Sequence, residues 1–337
     1  MNLLFAIFYN NESDIYHSKP IPIITTLCVM VNKSLMLSTA KKGKAIKMNY
    51  YNKLKNEYYE YRNSQNCILH YKDIPLQSNS VNIHYYHSEK EKIPYDYNLG
   101  DFLSTIILKY MLNLYDVDPF KKVNQTKNLY TVGSIIFMGY QNATIWGSGC
   151  PYEPYFYKSF FHRSKFRHLD IRSVRGPLTR KILVKLGHKC PEIYGDPAII
   201  LPKIYKPKEK ITNDYLLIPH FEVEKKYNNS VNKCNMLSMN TCDYKSVISK
   251  ICSSKKVISS SLHGIILAEA YGVPAVFLQD RSQKLDIKYR DWYESTNRTF
   301  TFANTVEEAL SMKIELPSNL DKLCNDVINA FPYDIWK

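Results

Sequence analysis

"VISSSLHGIILAEAYGVPAVFL", residues 257–278, reads as a strand, a tight turn, a helix and a second strand. A helix start carries backbone N–H groups with no partner inside the helix, and it attracts anions. Ser259, Ser260 and Ser261 add hydroxyls there, and Gly264 allows close approach to the helix start. His263 beside them suits a phosphate or a carboxylate, alone or with an N–H group. The plainer reading is that His263 caps the helix or satisfies a core carbonyl. Glu269, further along the helix, either pairs with a cation across a cleft or binds a ligand hydroxyl.

Working outward, the same alternation of strand and helix continues on both sides. Residues 82–87 read as a strand, and "NLGDFLSTIILKYMLNLY" (98–115) reads as a helix opened by Asn98, Gly100 and Asp101. The apolar runs 131–139 and 143–149 end in glycine, as buried parallel strands do. Residues 168–187 give a strand, a turn and a helix with Pro177 in its first position and Gly187 at its end. Residues 193–202 read as one more strand, and the Lys-rich stretch 203–214 has the composition of a linker. The alternation then restarts at 215–221, with a helix over 243–253, a strand over 256–261, a helix over 264–272 and a strand over 275–279.

The expected fold class is α/β, with two Rossmann-like doubly wound domains facing a cleft. The expected boundaries are 48–205 for the N-terminal, acceptor-side domain and 206–337 for the C-terminal, donor-side domain. Residues 1–47 read as an N-terminal extension. Their apolar runs are about 8 to 11 residues long, against the ~20 that span a bilayer. In such sheets the ligand crevice lies beyond the carboxyl ends of the strands. That selects the turns at 98–101, 146–150, 172–177 and 259–264.

The chain of 337 residues carries 45 Lys and Arg against 31 Asp and Glu, a net charge of +14 that favours anionic partners. The lysines are dispersed and no aromatic–basic stripe stands out, which argues against nucleic acid as the partner. The eight cysteines are scattered without a CxxC pair, so reduced thiols in a cytoplasmic protein are expected, and no metal site. Arg172 and Arg175 flank a strand-to-helix turn, where guanidinium groups grip phosphate or carboxylate in two-point fashion. One of them could instead pair with Asp170 or Asp196. Asp101 at a helix start is stabilised as a carboxylate by the dipole; it is either a cap or a base that takes an acceptor hydroxyl. Asp196, ahead of Pro197, reads as an ordinary turn residue.

In order, N-x-G-D opening a helix, S-V-R-G-P, G-D-P-A and S-S-L-H-G-I-I-L-A-E-A-Y-G-V-P resemble the polysaccharide pyruvyl transferase family. "KYRDWYES" (288–295) looks like the segment that follows in its exopolysaccharide ketalase-like branch. The resemblance covers about residues 82–300 and departs from the commonest pattern at Leu99, where an aromatic residue is frequent.

It implies an enzyme of the GT-B type that moves the enolpyruvyl group of phosphoenolpyruvate, a co-substrate and not a cofactor, onto a sugar as a cyclic ketal, with release of phosphate. On the matching positions Arg175 and His263 would hold phosphoenolpyruvate, with Lys284 a further contact. The expected catalytic set is His263, Asp101 and Arg175. The donor set is Arg172, Arg175, Ser261, His263, Gly264 and Lys284, and the acceptor set is Asn98, Asp101 and Glu269. The acceptor would be a free or lipid-linked sugar, and the excess of positive charge suggests docking at the inner face of an anionic membrane. The alternative is a GT-B glycosyltransferase that uses a nucleotide-sugar donor, with Glu269 on the ribose.

Overall fold

The computed structural model describes residues 79–85, 98–137, 142–151, 167–227, 235–280 and 287–337. The expected N-terminal extension, Lys284 and the ends of the runs 82–87 and 131–139 lie outside these residues. All described residues belong to one compact unit.

Two parallel sheets organise it. The first contains β1 (Val81–His84), β2 (Lys127–Tyr130), β3 (Ala143–Trp146) and β4 (Leu169–Ser173), paired in that order. The second contains β5 (Leu216–Ile218), β6 (Val257–Ser259) and β7 (Ala275–Phe277), again in chain order and in register from Leu216 with Val257 to Ser259 with Phe277. The α/β class with parallel strands is as the sequence indicates. Among the described strands, each order runs one way without the reversal that marks a doubly wound sheet.

The helices form where caps and apolar spacing coincide. α1 (Leu99–Asn113) starts at Asn98, whose side chain accepts from the Gly100 N–H at 3.1 Å, and it buries Leu99, Leu103, Ile107 and Met111 at four-residue spacing. α2 (Pro177–Lys185) begins on its proline. A 3₁₀ turn, Pro197–Ile200, runs into α3 (Leu201–Ile204). α4 (Tyr244–Cys252) is capped by Asp243, and α5 (Leu262–Ala270) is buried from Leu262 to Glu269, with His263 and Glu269 its only ionisable residues. α6 (Ile287–Ser295), α7 (Val306–Ser311) and α8 (Leu320–Asn329) complete the chain. Among the described residues no helix is long and apolar enough to cross a membrane.

Two strand expectations are corrected. The strand expected over 131–139 lies earlier, at Lys127–Tyr130. After Thr131 the chain leaves the sheet in a turn whose Gly133 carbonyl accepts from the Gly149 N–H (3.0 Å) and the Ser148 hydroxyl (2.9 Å). The strand expected over 193–202 is the 3₁₀ turn and α3. Proline fixes the backbone of the first turn, and Asp196 caps it by accepting from the Ala198 N–H at 3.0 Å. A short run of Ala, Ile, Ile and Leu buried on all sides has the same composition in a strand or a helix.

Both sheets alternate between two environments. Val81, Ile83, Leu129 and Trp146 of the first sheet, and Leu216, Ile218, Val257 and Phe277 of the second, face one continuous core that includes α1, α4, α5, α8 and the 3₁₀ turn. Tyr130, Ile145 and Ile171 face a second cluster with α2, and Leu217, Ile258 and Val276 face a third with Ala309 of α7. The 3₁₀ turn packs against α1, α5 and α8.

Trp146 ties β3 to α8: its indole N–H donates to the Val327 carbonyl at 2.8 Å, and its ring meets Phe331 edge-on at 4.8 Å. Trp146→Phe leaves that buried carbonyl without its donor and should cost about 1–3 kcal/mol. A lower urea midpoint at unchanged slope is the expected reading.

Candidate functional site

Three helix or turn starts bring ionisable groups together. Asp101 is the third residue of α1, Asp196 caps the 3₁₀ turn, and His263 is the second residue of α5. All three are buried. His263 Nε2 lies 3.7 Å from Asp196 Oδ2. The imidazole rests on the backbone of Gly100, where a β-carbon would collide with Nδ1, so a glycine is required at the start of α1. The Asp101 carboxylate packs against Gly133.

Burial dominates the electrostatics of Asp101. It pushes the carboxyl from its ordinary value of 3.8 up to about 6; the charges of His263 and Lys288 oppose the rise, and the Asp196 carboxylate adds to it. Asp101 therefore exchanges a proton near neutrality, where acid–base groups work best. The start of α5 has no side-chain cap, because Ser261 makes none, so its first N–H groups keep the character of an anion site.

Arg175 is fully buried. Its guanidinium donates to the Ser134 hydroxyl (2.7 Å) and the Cys150 carbonyl (2.9 Å), and its Nε lies 3.3 Å from Asp291 of α6. Asp291 also accepts from the Thr179 N–H (3.0 Å) and hydroxyl (2.6 Å). Arg175 thus fastens α6, which carries Lys288, to the turn after β4. Arg172 pairs with Asp170 (2.8 Å) and Asp334 (2.6 Å), so the carboxylate partner weighed in the sequence for one arginine is present, together with a second. Glu269 is held by Arg298 at 2.7 and 2.8 Å and by the Trp292 indole at 2.7 Å.

Asn98 is the cap of α1, and Gly264 gives room to the Ser259 side chain and Ile218 where α5 lies on its sheet. The Ser261 N–H donates to Ser259 Oγ (3.0 Å), and Ser260 Oγ lies 3.1 Å from Asp280. Lys284 lies outside the described residues. The structure therefore brings together Asp101 and His263 from the sequence set. It adds Asp196, read there as a turn residue, and Lys288, quoted within "KYRDWYES" without a role. Among the described residues no group of three His, Cys, Asp or Glu side chains is arranged for a metal ion.

The fold and this cluster define a parallel α/β protein with buried acid–base groups at helix starts. Residues 140–280 match the family model described as Polysaccharide pyruvyl transferase. The segment includes Arg172, Arg175, Asp196, His263 and Glu269, whereas Asp101 and Lys288 flank it. The chain is 30% identical over 183 residues to an uncharacterized protein of Acanthamoeba polyphaga mimivirus, covering 50% of this chain and 60% of that protein. It is 31% identical over 150 residues to the succinoglycan biosynthesis protein ExoV of Rhizobium meliloti (strain 1021), covering 39% of this chain and 42% of that protein. The chain thus spans 60% and 42% of the length of these relatives. A crystal structure of an uncharacterized protein from Klebsiella pneumoniae aligns with a TM-score of 0.40 at 13% identity, over 61% of this chain and 89% of that one.

Because the folded protein holds the Asp101 proton more tightly than the unfolded chain does, stability should fall as pH rises from 3.8 to about 6 and stay lower above it. At about 1.4 kcal/mol per pH unit the loss is on the order of 3 kcal/mol. Asp101→Asn removes the buried charge. The variant should gain stability relative to the native protein above this window and show no such gain below it, measured by urea unfolding at both ends.

Proposed function

We propose that the protein is a transferase that moves the enolpyruvyl group of phosphoenolpyruvate onto a sugar of a surface polysaccharide precursor, forming a cyclic ketal and releasing phosphate. The observation that carries this reading is the meeting of Asp101, Asp196 and His263 in a chain whose residues 140–280 match the pyruvyl transferase family. The two sheets are read as the two halves of a GT-B arrangement, with the starts of α1 and α5 facing the reaction centre.

Phosphoenolpyruvate is a small, doubly anionic donor. His263, Lys288 and the open N–H groups at the start of α5 supply positive charge beside Asp101. Arg175 contributes indirectly, through Asp291 and the placement of α6, and Lys284 is a further proposed contact. In the proposed step the protonated His263 gives its proton to the methylene carbon of phosphoenolpyruvate. A sugar hydroxyl attacks the electron-poor C2, and its proton passes to Asp101. The C–O bond to phosphate then breaks with its electron pair on the phosphate, which takes the Asp101 proton. A second hydroxyl of the same sugar adds to C2 and closes the ketal, and its proton restores His263.

The nucleotide-sugar alternative relied on Glu269 to hold a ribose, but Arg298 and Trp292 occupy that carboxylate. A cytoplasmic enzyme at the inner face of a membrane, acting on a lipid-linked acceptor, fits the net charge of +14.

The test is phosphate release from phosphoenolpyruvate with diol-bearing sugars, together with product mass. The native protein should release phosphate and yield a product heavier by pyruvate less water. His263→Gln should lower turnover by about 10²–10⁴-fold, the usual contribution of a positioned acid. Turnover with a nucleotide-sugar donor and none with phosphoenolpyruvate would reverse the assignment.

A further inference from the structure

We infer that Asp196 is the positioning residue of His263: it selects which imidazole nitrogen carries the fixed proton and leaves the other for proton transfer. The inference rests on the acid–base role given to His263 above and goes beyond it by naming the group that makes that role possible.

Asp196 has a carboxylate with two separable tasks. Oδ1 accepts from the Ala198 N–H at 3.0 Å, and that bond alone caps the 3₁₀ turn. Oδ2 is buried and makes no hydrogen bond. Facing it at 3.7 Å is His263 Nε2, also buried and also without a hydrogen bond. A lone buried acceptor opposite a lone buried donor is costly, because each has given up its hydrogen bond to water without gaining another. A shift of under about 1 Å brings the pair to ordinary hydrogen-bond distance and satisfies both. Capping does not account for the second oxygen, because one oxygen suffices for a cap.

The carboxylate is rigidly carried. The Gly195 N–H donates to the carbonyls of Val174 and Arg175, both at 3.1 Å, and Gly195 takes φ +137, a conformation that favours glycine. Pro197 follows within a turn packed on three helices. With the turn so fixed, Oδ2 presents a constant acceptor, and the neutral imidazole answers by holding its proton on Nε2. Nδ1, which lies over Gly100 at the start of α1, is then the nitrogen that gives and takes the transferred proton. Asparagine at this position would keep the volume and the capping oxygen but turn an amide N–H₂ toward His263. Nε2 would become an acceptor, and the fixed proton would move to Nδ1.

Selective ¹⁵N-histidine labelling with long-range ¹H–¹⁵N correlation in alkaline buffer reads the tautomer of neutral histidine, and loss of one spin system in His263→Gln assigns it. The native protein should show His263 protonated on Nε2, and Asp196→Asn should show it on Nδ1. In parallel, Asp196→Asn should lower kcat on the order of 10²–10⁴-fold with KM for phosphoenolpyruvate unchanged, the pattern of an imidazole locked in the wrong tautomer. In a His263→Gln background the same change should have no further effect on kcat. A native Nδ1–H tautomer, or a tautomer indifferent to Asp196→Asn, overturns the inference. If the variant does not fold, the native tautomer alone decides. If the tautomers follow the expected pattern but no phosphate is released by the native protein, the functional reading fails and the positioning role stands.

Discussion

A buried 3₁₀ turn of four residues, Pro197–Ile200, is the piece around which the rest of the described structure is arranged. α1, α5 and α8 pack on it, and its Ala198, Ile199 and Ile200 side chains lie in the core shared by both sheets. Each isoleucine buried there contributes about 1.5–3 kcal/mol relative to exposure. The same packing fixes the angle at which the starts of α1 and α5 approach each other. Asp196 caps the turn, so the element that holds the core together also delivers a carboxylate to His263. Gly100 completes the approach by leaving space for the imidazole.

Positive charge is divided between scaffold and site. Arg175 is consumed by Asp291 and Arg298 by Glu269, both inside the protein. Removing one partner from such a pair strands a buried charge, which costs more than the pair contributes. These pairs therefore act as fasteners: the first holds α6 against the turn after β4, and the second holds Glu269 of α5 to Arg298, just beyond α6. What remains beside Asp101 is the weaker field of His263 and Lys288. That field does not overcome burial, and this is why the carboxyl titrates near neutrality.

Much of this was legible in the sequence, and the failures have physical causes. The strand–turn–helix at 257–278, the capped helix after Asn98 and the Pro177 helix start are written in local chemistry, and each appears within a few residues of its expected place. The turn at 197–200 has the sequence of a strand because an apolar run buried on every side has no periodicity to declare its type. The role of Asp196 is hidden for a different reason: its capping role is local and visible, whereas its opposition to His263 arises from a residue 67 positions away. Arg172 and Arg175 look alike in sequence. Only the fold reveals that Asp170 and Asp334 meet the first and that Asp291, far along the chain, meets the second.

α1 and α5 place Asp101 and His263 in one buried electrostatic field. The most direct measurement is a ¹³C carboxyl titration of Asp101 by NMR, assigned by its absence in Asp101→Asn and repeated in His263→Gln. The midpoint should lie near 6 in the native protein and higher once the imidazole is removed, because His263 opposes the rise. A midpoint at the ordinary 3.8, or one that does not move when His263 is replaced, would contradict it.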